Sequence, residues 1–194
     1  RSMLLARLVL PADFGVVGLA LFYIGLVAQL RGLGLDSALM HRQETSDGFM
    51  RTYFTLRTAL DVAAFALLMA SIPLLRAAHP SMTDLGRVLP LLAVAYLLSS
   101  LSQVQETWLI KHLAFSRLAI TDVTASVVMT VAAVYLAWQG WGIWALVAER
   151  VSGLATRFLL TWGLFRRWGP RMGWNRQEAR WLWDFGRPLW VSGN

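Results

Sequence analysis

Long apolar runs without charge, each closed off by charged residues, constrain this chain more than any other feature. Residues 14–30 give 17 positions with no charge, residues 58–75 give 18 with only Asp61 inside, and residues 88–105 give another 18. The hydrocarbon core of a bilayer takes about 20 apolar residues as helix. Backbone that crosses it must satisfy its own N–H and C=O groups, which favours helices. Residues 123–148 run for 26 positions, too long for one crossing, and Gln139-Gly140-Trp141-Gly142 interrupts them with a turn signal. The sequence therefore predicts an all-α, polytopic transmembrane helical bundle. Its spans fall at about 14–34, 55–75, 88–109, 118–138 and 143–165, with a further helix at 178–194 that is cut off at Asn194. Residues 1–10 read as the tail of an earlier helix. The whole stretch, 1–194, reads as one transmembrane domain taken from a longer protein.

Composition agrees. Hydrophobic residues make up 57% and charged residues 15%, against roughly 45–50% and ~25% in a soluble domain, so the polar coat of a soluble enzyme is missing. There is no Cys, which excludes disulfides, thiolate metal sites and a Cys nucleophile. His41, His79 and His112 fall in predicted connections and at no metal-ligand spacing. The sequence also lacks a P-loop and a G-x-S-x-G elbow. No metal, cofactor or catalytic residue is expected, and the chain does not read as an enzyme.

Basic residues set the orientation. Arg31, Arg42, Arg51, Arg57, Lys111, Arg117, Arg166, Arg167, Arg171, Arg176 and Arg180 fall on one side, eleven against the four of Arg1, Arg7, Arg76 and Arg87 on the other. The positive-inside rule makes the richer side cytoplasmic, so the connections at about 31–57, 110–117 and 166–180 are expected there. Basic residues confined to helix ends are no nucleic-acid signature. Trp138, Trp141 and Trp144 cluster at the outer turn and Trp162, Trp168 and Trp174 at the inner boundary, the positions of an aromatic belt.

Polar residues inside spans are costly, roughly 2.5–3.5 kcal/mol for a charge at mid-helix, and they lie in seams. Arg57 and Asp61 are spaced to pair along one helix face. Ser99, Ser102, Gln103 and Glu106 share one stripe, and Asp122, Ser126 and Thr130 repeat every four residues. Arg150, Arg157 and Thr161 lie nearly in line with Glu149 beside them. Arg157 sits mid-span, so either Asp122 or Glu106 neutralises it across helices or it faces water. Gly18, Gly25 and Gly32 recur every seven residues and are expected to let helices approach closely.

Four short motifs resemble the polysaccharide and lipopolysaccharide flippase family of the multidrug/oligosaccharidyl-lipid/polysaccharide exporter superfamily. Residues 6–15, A-R-L-V-L-P-A-D-F-G, are similar to the segment after that family's first helix. Residues 32–42, G-L-G-L-D-S-A-L-M-H-R, resemble the loop after its second, with Gly32 in place of an acid and His41 in place of a Gln. Residues 140–147, G-W-G-I-W-A-L-V, resemble the turn before its sixth, and residues 185–189, F-G-R-P-L, the opening of its seventh.

The resemblance implies most of the N-terminal lobe of a 12–14-helix transporter in a bacterial inner membrane. It implies a flippase that moves a polyprenyl-diphosphate-linked oligosaccharide. Its partners would be that lipid-linked oligosaccharide, the lipid bilayer and other polysaccharide-assembly membrane proteins. On this reading Arg150 and Arg157, with Arg31 and Arg57, offset the diphosphate charge, and Ser99, Ser102 and Gln103 bind sugar hydroxyls. Asp61, Glu106, Asp122 and Glu149 are then candidates for proton or sodium coupling. Two alternatives stay open, a drug/cation antiporter of the same superfamily and a membrane-embedded polysaccharide polymerase or ligase.

Overall fold

A computed structural model describes residues 9–31, 35–42, 46–80, 82–164, 169 and 171–192, with all their side chains except those of 30, 31 and 186–192. Residues 1–8, the Arg31 side chain, Gly32, Arg166, Arg167, Trp168 and Asn194 thus lie outside the described residues. The helices are α1 (Pro11–Arg31), α2 (Leu35–His41), α3 (Asp47–Ala78), α4 (Leu85–Lys111), α5 (Phe115–Trp138), α6 (Ile143–Leu159) and α7 (Arg176–Ser192). A π turn, Leu160–Leu164, continues α6. Among the described residues there is no strand, and the chain is an all-α, polytopic helical bundle. α1, α3, α4 and α5 are each long and apolar enough to cross a membrane.

Local chemistry fixes the ends. Ser46 N-caps α3 by accepting from the Phe49 N–H at 3.2 Å, Asp47 follows in the first turn, and Arg76 stands in the last. The α5–α6 turn needs its glycines: Gly140 and Gly142 have φ of +78° and +50°. Pro90, inside α4, has no N–H to give to the Gly86 carbonyl one turn back. The Arg76 guanidinium from α3 supplies that bond instead, at 2.9 Å.

α4 is the central helix. Half of its most apolar window is inside the bundle, against 17–22% for the other three spanning candidates. Its Leu85, Val88, Leu89 and Leu92 meet Val16, Val17, Ala20 and Ile24 of α1, Leu68 of α3 and Leu146 of α6 in one core. In lipid such a core is held by close packing rather than by exclusion of water. The small-residue contact lies between α5 and α6. Ala125, Ala133, Ala137 and Ala145 are buried, and a Cβ on Gly153 would stand 3.0 Å from the Met129 sulfur. Among the described residues, Gly18 and Gly25 do not make the close approach expected of them, because the buried face of α1 is the Val16–Ala20–Ile24 side and nothing stands within 4 Å of a Cβ on either glycine.

Two further departures concern one end of the bundle. The stretch between the first two predicted spans is not a plain connection. It contains α2, which ends at His41, and α3 already begins at Asp47. Arg51 and Arg57 are therefore helical residues. Hydropathy misses this extension because the first turns of α3 carry Arg51, Thr52, Thr55 and Arg57. α7 packs on the same end through a second core that includes Leu35, Leu39, Phe49, Tyr53 and Leu182. Arg42 pairs with Glu178 of α7, and its guanidinium lies 4.3 Å from the Phe49 ring centroid and 5.0 Å from that of Trp181.

Candidate functional site

Two arginine sites result, and they differ in kind. The first is a cleft of about 440 Å³ between α4, α5 and α6, lined by Arg150, Arg157, Asp122, Ser126, Tyr96 and Gly153 among others. Arg157 Nη2 lies 2.5 Å from Asp122 Oδ1 and Nη1 lies 3.5 Å from Glu106 Oε1. Both acids thus hold the arginine that either alone was expected to neutralise. The Arg157 side chain keeps 37% of its surface exposed and Asp122 keeps 57%. Arg150 stands two helical turns away on the same face, about 10.5 Å along the axis, exposed and with no carboxylate partner among the described residues. Two arginines and two acids thus balance in charge, and because both acids are held by Arg157, the cation without an ion pair of its own among the described residues is Arg150.

Gly153 lies between the two arginines on α6, and its lack of a side chain lets α6 close on Met129. On α5, Ser126 lines the cleft, and its carbonyl accepts from the Thr130 hydroxyl at 2.7 Å. One turn beyond Arg157 the helix widens into the π turn, where the buried Thr161 hydroxyl donates to the Arg157 carbonyl at 2.8 Å. Thr161 therefore shapes the helix behind Arg157 rather than facing the cleft. Turns of this type are frequent at functional sites.

The second site is closed. Arg57 is 4% exposed. Its Nη1 donates to both oxygens of Asp36 at 2.8 Å, its Nη2 to Gln103 Oε1 at 2.6 Å and its Nε to Asp61 Oδ2 at 3.3 Å. The Tyr53 hydroxyl donates to Asp36 Oδ1 at 2.6 Å. Four helices meet there: α2 gives Asp36, α3 gives Tyr53, Arg57 and Asp61, α4 gives Gln103, and α1 lies across a small void of about 30 Å³ that Asp61 borders. The pairing of Arg57 with Asp61 follows the spacing in the sequence, but Asp36 does not show in it. It is an isolated acid in the first turn of a helix of only 7 residues, without periodicity to mark it. The one available signal is that a buried arginine with a single acid on its own helix wants a further carboxylate.

The structure sorts the sequence candidates accordingly. Arg150, Arg157 and Asp122 line the cleft, and Glu106 reaches it through Arg157. Arg57 does not line it, since its donors are taken up in the interior. Gln103 accepts from Arg57, and neither Ser99 nor Ser102 borders the cleft. The Ser102 hydroxyl is buried and donates to the Leu98 carbonyl of its own helix at 3.3 Å. Glu149 is buried on another face of α6. The described residues hold no cluster of three or more potential metal ligands.

Comparison with known proteins agrees with these features. A family model described as polysaccharide biosynthesis protein matches residues 4–193. The succinoglycan biosynthesis transport protein ExoT of Rhizobium meliloti (strain 1021) is 32% identical over 167 residues, which cover 78% of this chain and 32% of that protein. The chain thus spans about a third of the length of the curated relative it matches. No solved structure matches.

Proposed function

Because the chain belongs to the polysaccharide biosynthesis protein family, we propose that it forms most of the N-terminal lobe of a 12–14-helix flippase in a bacterial inner membrane. The cargo is a polyprenyl-diphosphate-linked oligosaccharide, and the process is translocation, with no bond made or broken. The end of the bundle that carries Arg42, Lys111 and Arg117 faces the cytoplasm. The observation that carries this reading is Arg150, a cation without a carboxylate partner among the described residues, on the wall of a cleft of about 440 Å³. A diphosphate crossing a membrane needs charge compensation, because polar groups left bare in hydrocarbon cost several kcal/mol each. Guanidinium meets phosphate through two parallel N–H donors. Arg150 offers the diphosphate a guanidinium that no acid holds, and Arg157 joins it by exchanging Asp122 or Glu106 for a phosphate oxygen. The released carboxylate is then the site where a proton or sodium ion couples to transport. The Ser126 and Tyr96 hydroxyls face the sugars.

The cleft holds as many arginines as acids, and both acids are already engaged by Arg157 while Arg150 is not, which favours an anionic cargo over the organic cations of a drug antiporter. A binding titration of the purified full-length protein with a short-chain polyprenyl diphosphate tests the reading. Removing one charge-assisted contact by Arg150→Gln is expected to weaken binding by at least tenfold. Unchanged affinity in an Arg150→Gln, Arg157→Gln double variant would overturn it.

A further inference from the structure

The segment 171–183 is built to lie in the headgroup layer. α3 has 32 residues, about 48 Å at 1.5 Å per residue, whereas the hydrocarbon core is about 30 Å thick and about 40–45 Å with its headgroup regions. The apolar run of α3 starts at Thr58, so its first turns project out of the hydrocarbon. Thr55 stands about 4.5 Å beyond that point by helical rise, within the headgroup layer, and Thr52 about 9 Å, at its outer edge. These two threonines fasten the strap before α7. Thr55 Oγ1 accepts from the Gly173 N–H at 3.1 Å, and Thr52 Oγ1 accepts from the Asn175 N–H at 3.1 Å. Asn175 then caps α7 by accepting from the Gln177 N–H at 3.0 Å. Arg51 packs over Gly173, where a Cβ would come within 3.0 Å of the Arg51 Cβ.

With its backbone fixed and Leu182 and Glu178 turned inward, this segment presents Arg171, Met172, Trp174, Arg176, Arg180 and Trp183 outward. Met172 is 72% and Trp174 60% exposed. Arginines alternating with amphipathic aromatics suit an interface that is anionic on one side and apolar on the other. Among the described residues the nearby acids are Asp184, 3.9 Å from Arg180, Asp47, 3.4 Å from Arg51, and Glu178, which Arg42 holds. They leave the cations in excess.

We propose that residues 171–183 form a binding face for the anionic headgroups of phospholipids in the leaflet at this end of the bundle. That this leaflet is the inner one rests on the orientation given under Proposed function, whereas the binding itself does not. Native mass spectrometry of the full-length, delipidated protein titrated with phosphatidylglycerol or phosphatidylcholine tests it. The protein is expected to prefer phosphatidylglycerol, and the Arg171→Gln, Arg176→Gln, Arg180→Gln variant to lose at least tenfold of that affinity. Arg176→Gln and Arg180→Gln alone should each cost a few-fold. Equal uptake of both lipids, or a preference unchanged in the triple variant, would overturn the proposal. So would equal competition by inorganic phosphate at the same concentration, which marks a site for free anions, or loss of uptake only when a protein partner is stripped away. Labelling Asn175→Cys with an impermeant maleimide from each side of the membrane reports the orientation separately. Labelling from outside would overturn the inner-leaflet assignment while the titration still decides the binding.

Discussion

Arg57 and Arg150 are the same residue on neighbouring parts of one bundle, and their surroundings assign them opposite work. Arg57 spends its donors on Asp36, Asp61 and Gln103 and is 4% exposed. Arg150 stands exposed on a cleft wall with no acid to answer it among the described residues. Arg157 lies between these extremes, paired twice yet 37% exposed. The lesson is that an arginine in a membrane domain is read by what its donors already hold. A saturated guanidinium fastens helices together, whereas an unsaturated one is available to a ligand.

The comparison can be broken by stability measurements on the full-length protein in detergent. Arg57→Ala strands Asp36 and Asp61 and is expected to have the largest effect, a loss of about 3–5 kcal/mol seen as a lowered thermal midpoint and poor folded yield. A loss below about 1 kcal/mol would put Arg57 in the same class as an exposed residue. Tyr53→Phe removes only a hydrogen bond to the Asp36 carboxylate and should cost about 1.5–3 kcal/mol, readable in the same melts. Asp122→Asn, at a half-open ion pair that solvent screens, should cost at most about 1 kcal/mol; a larger drop would make the cleft pair structural. Arg150→Gln should stay within about 0.5 kcal/mol of wild type, so any effect on transport would be a matter of function.

Much of this arrangement is legible in the sequence, and the reasons for the gaps are specific. Apolar runs bounded by charge mark the helices because length and hydropathy alone decide what a bilayer accepts. The α5–α6 break shows in its glycines, both of which take positive φ. The helical spacing that aligns Arg150 with Arg157 also places them on one cleft wall, and Arg157, expected to meet Asp122 or Glu106 or else water, meets both acids. Where the sequence falls short, the cause is long-range contact. Asp36 meets Arg57 across 21 residues, and Arg42 meets Glu178 across 136. Ser102 shares a stripe with Gln103 by spacing, yet its angle on α4 turns it into the core. Gly18 and Gly25 recur at a packing period on a face of α1 where no helix arrives among the described residues.

The central claim is that the open arginines of the cleft, Arg150 and Arg157, meet the cargo. Export in living cells tests it most directly. In cells lacking their own flippase, the full-length protein carrying Arg150→Gln, Arg157→Ala or Arg157→Lys is expressed at matched levels, and surface polysaccharide and lipid-linked precursor are both quantified. Arg150→Gln and Arg157→Ala are expected to lose most surface glycan while precursor accumulates inside, and Arg157→Lys to retain part of it because the charge persists without the planar fork. Normal export by both Arg150→Gln and Arg157→Ala would contradict the account and leave the cleft arginines as packing residues.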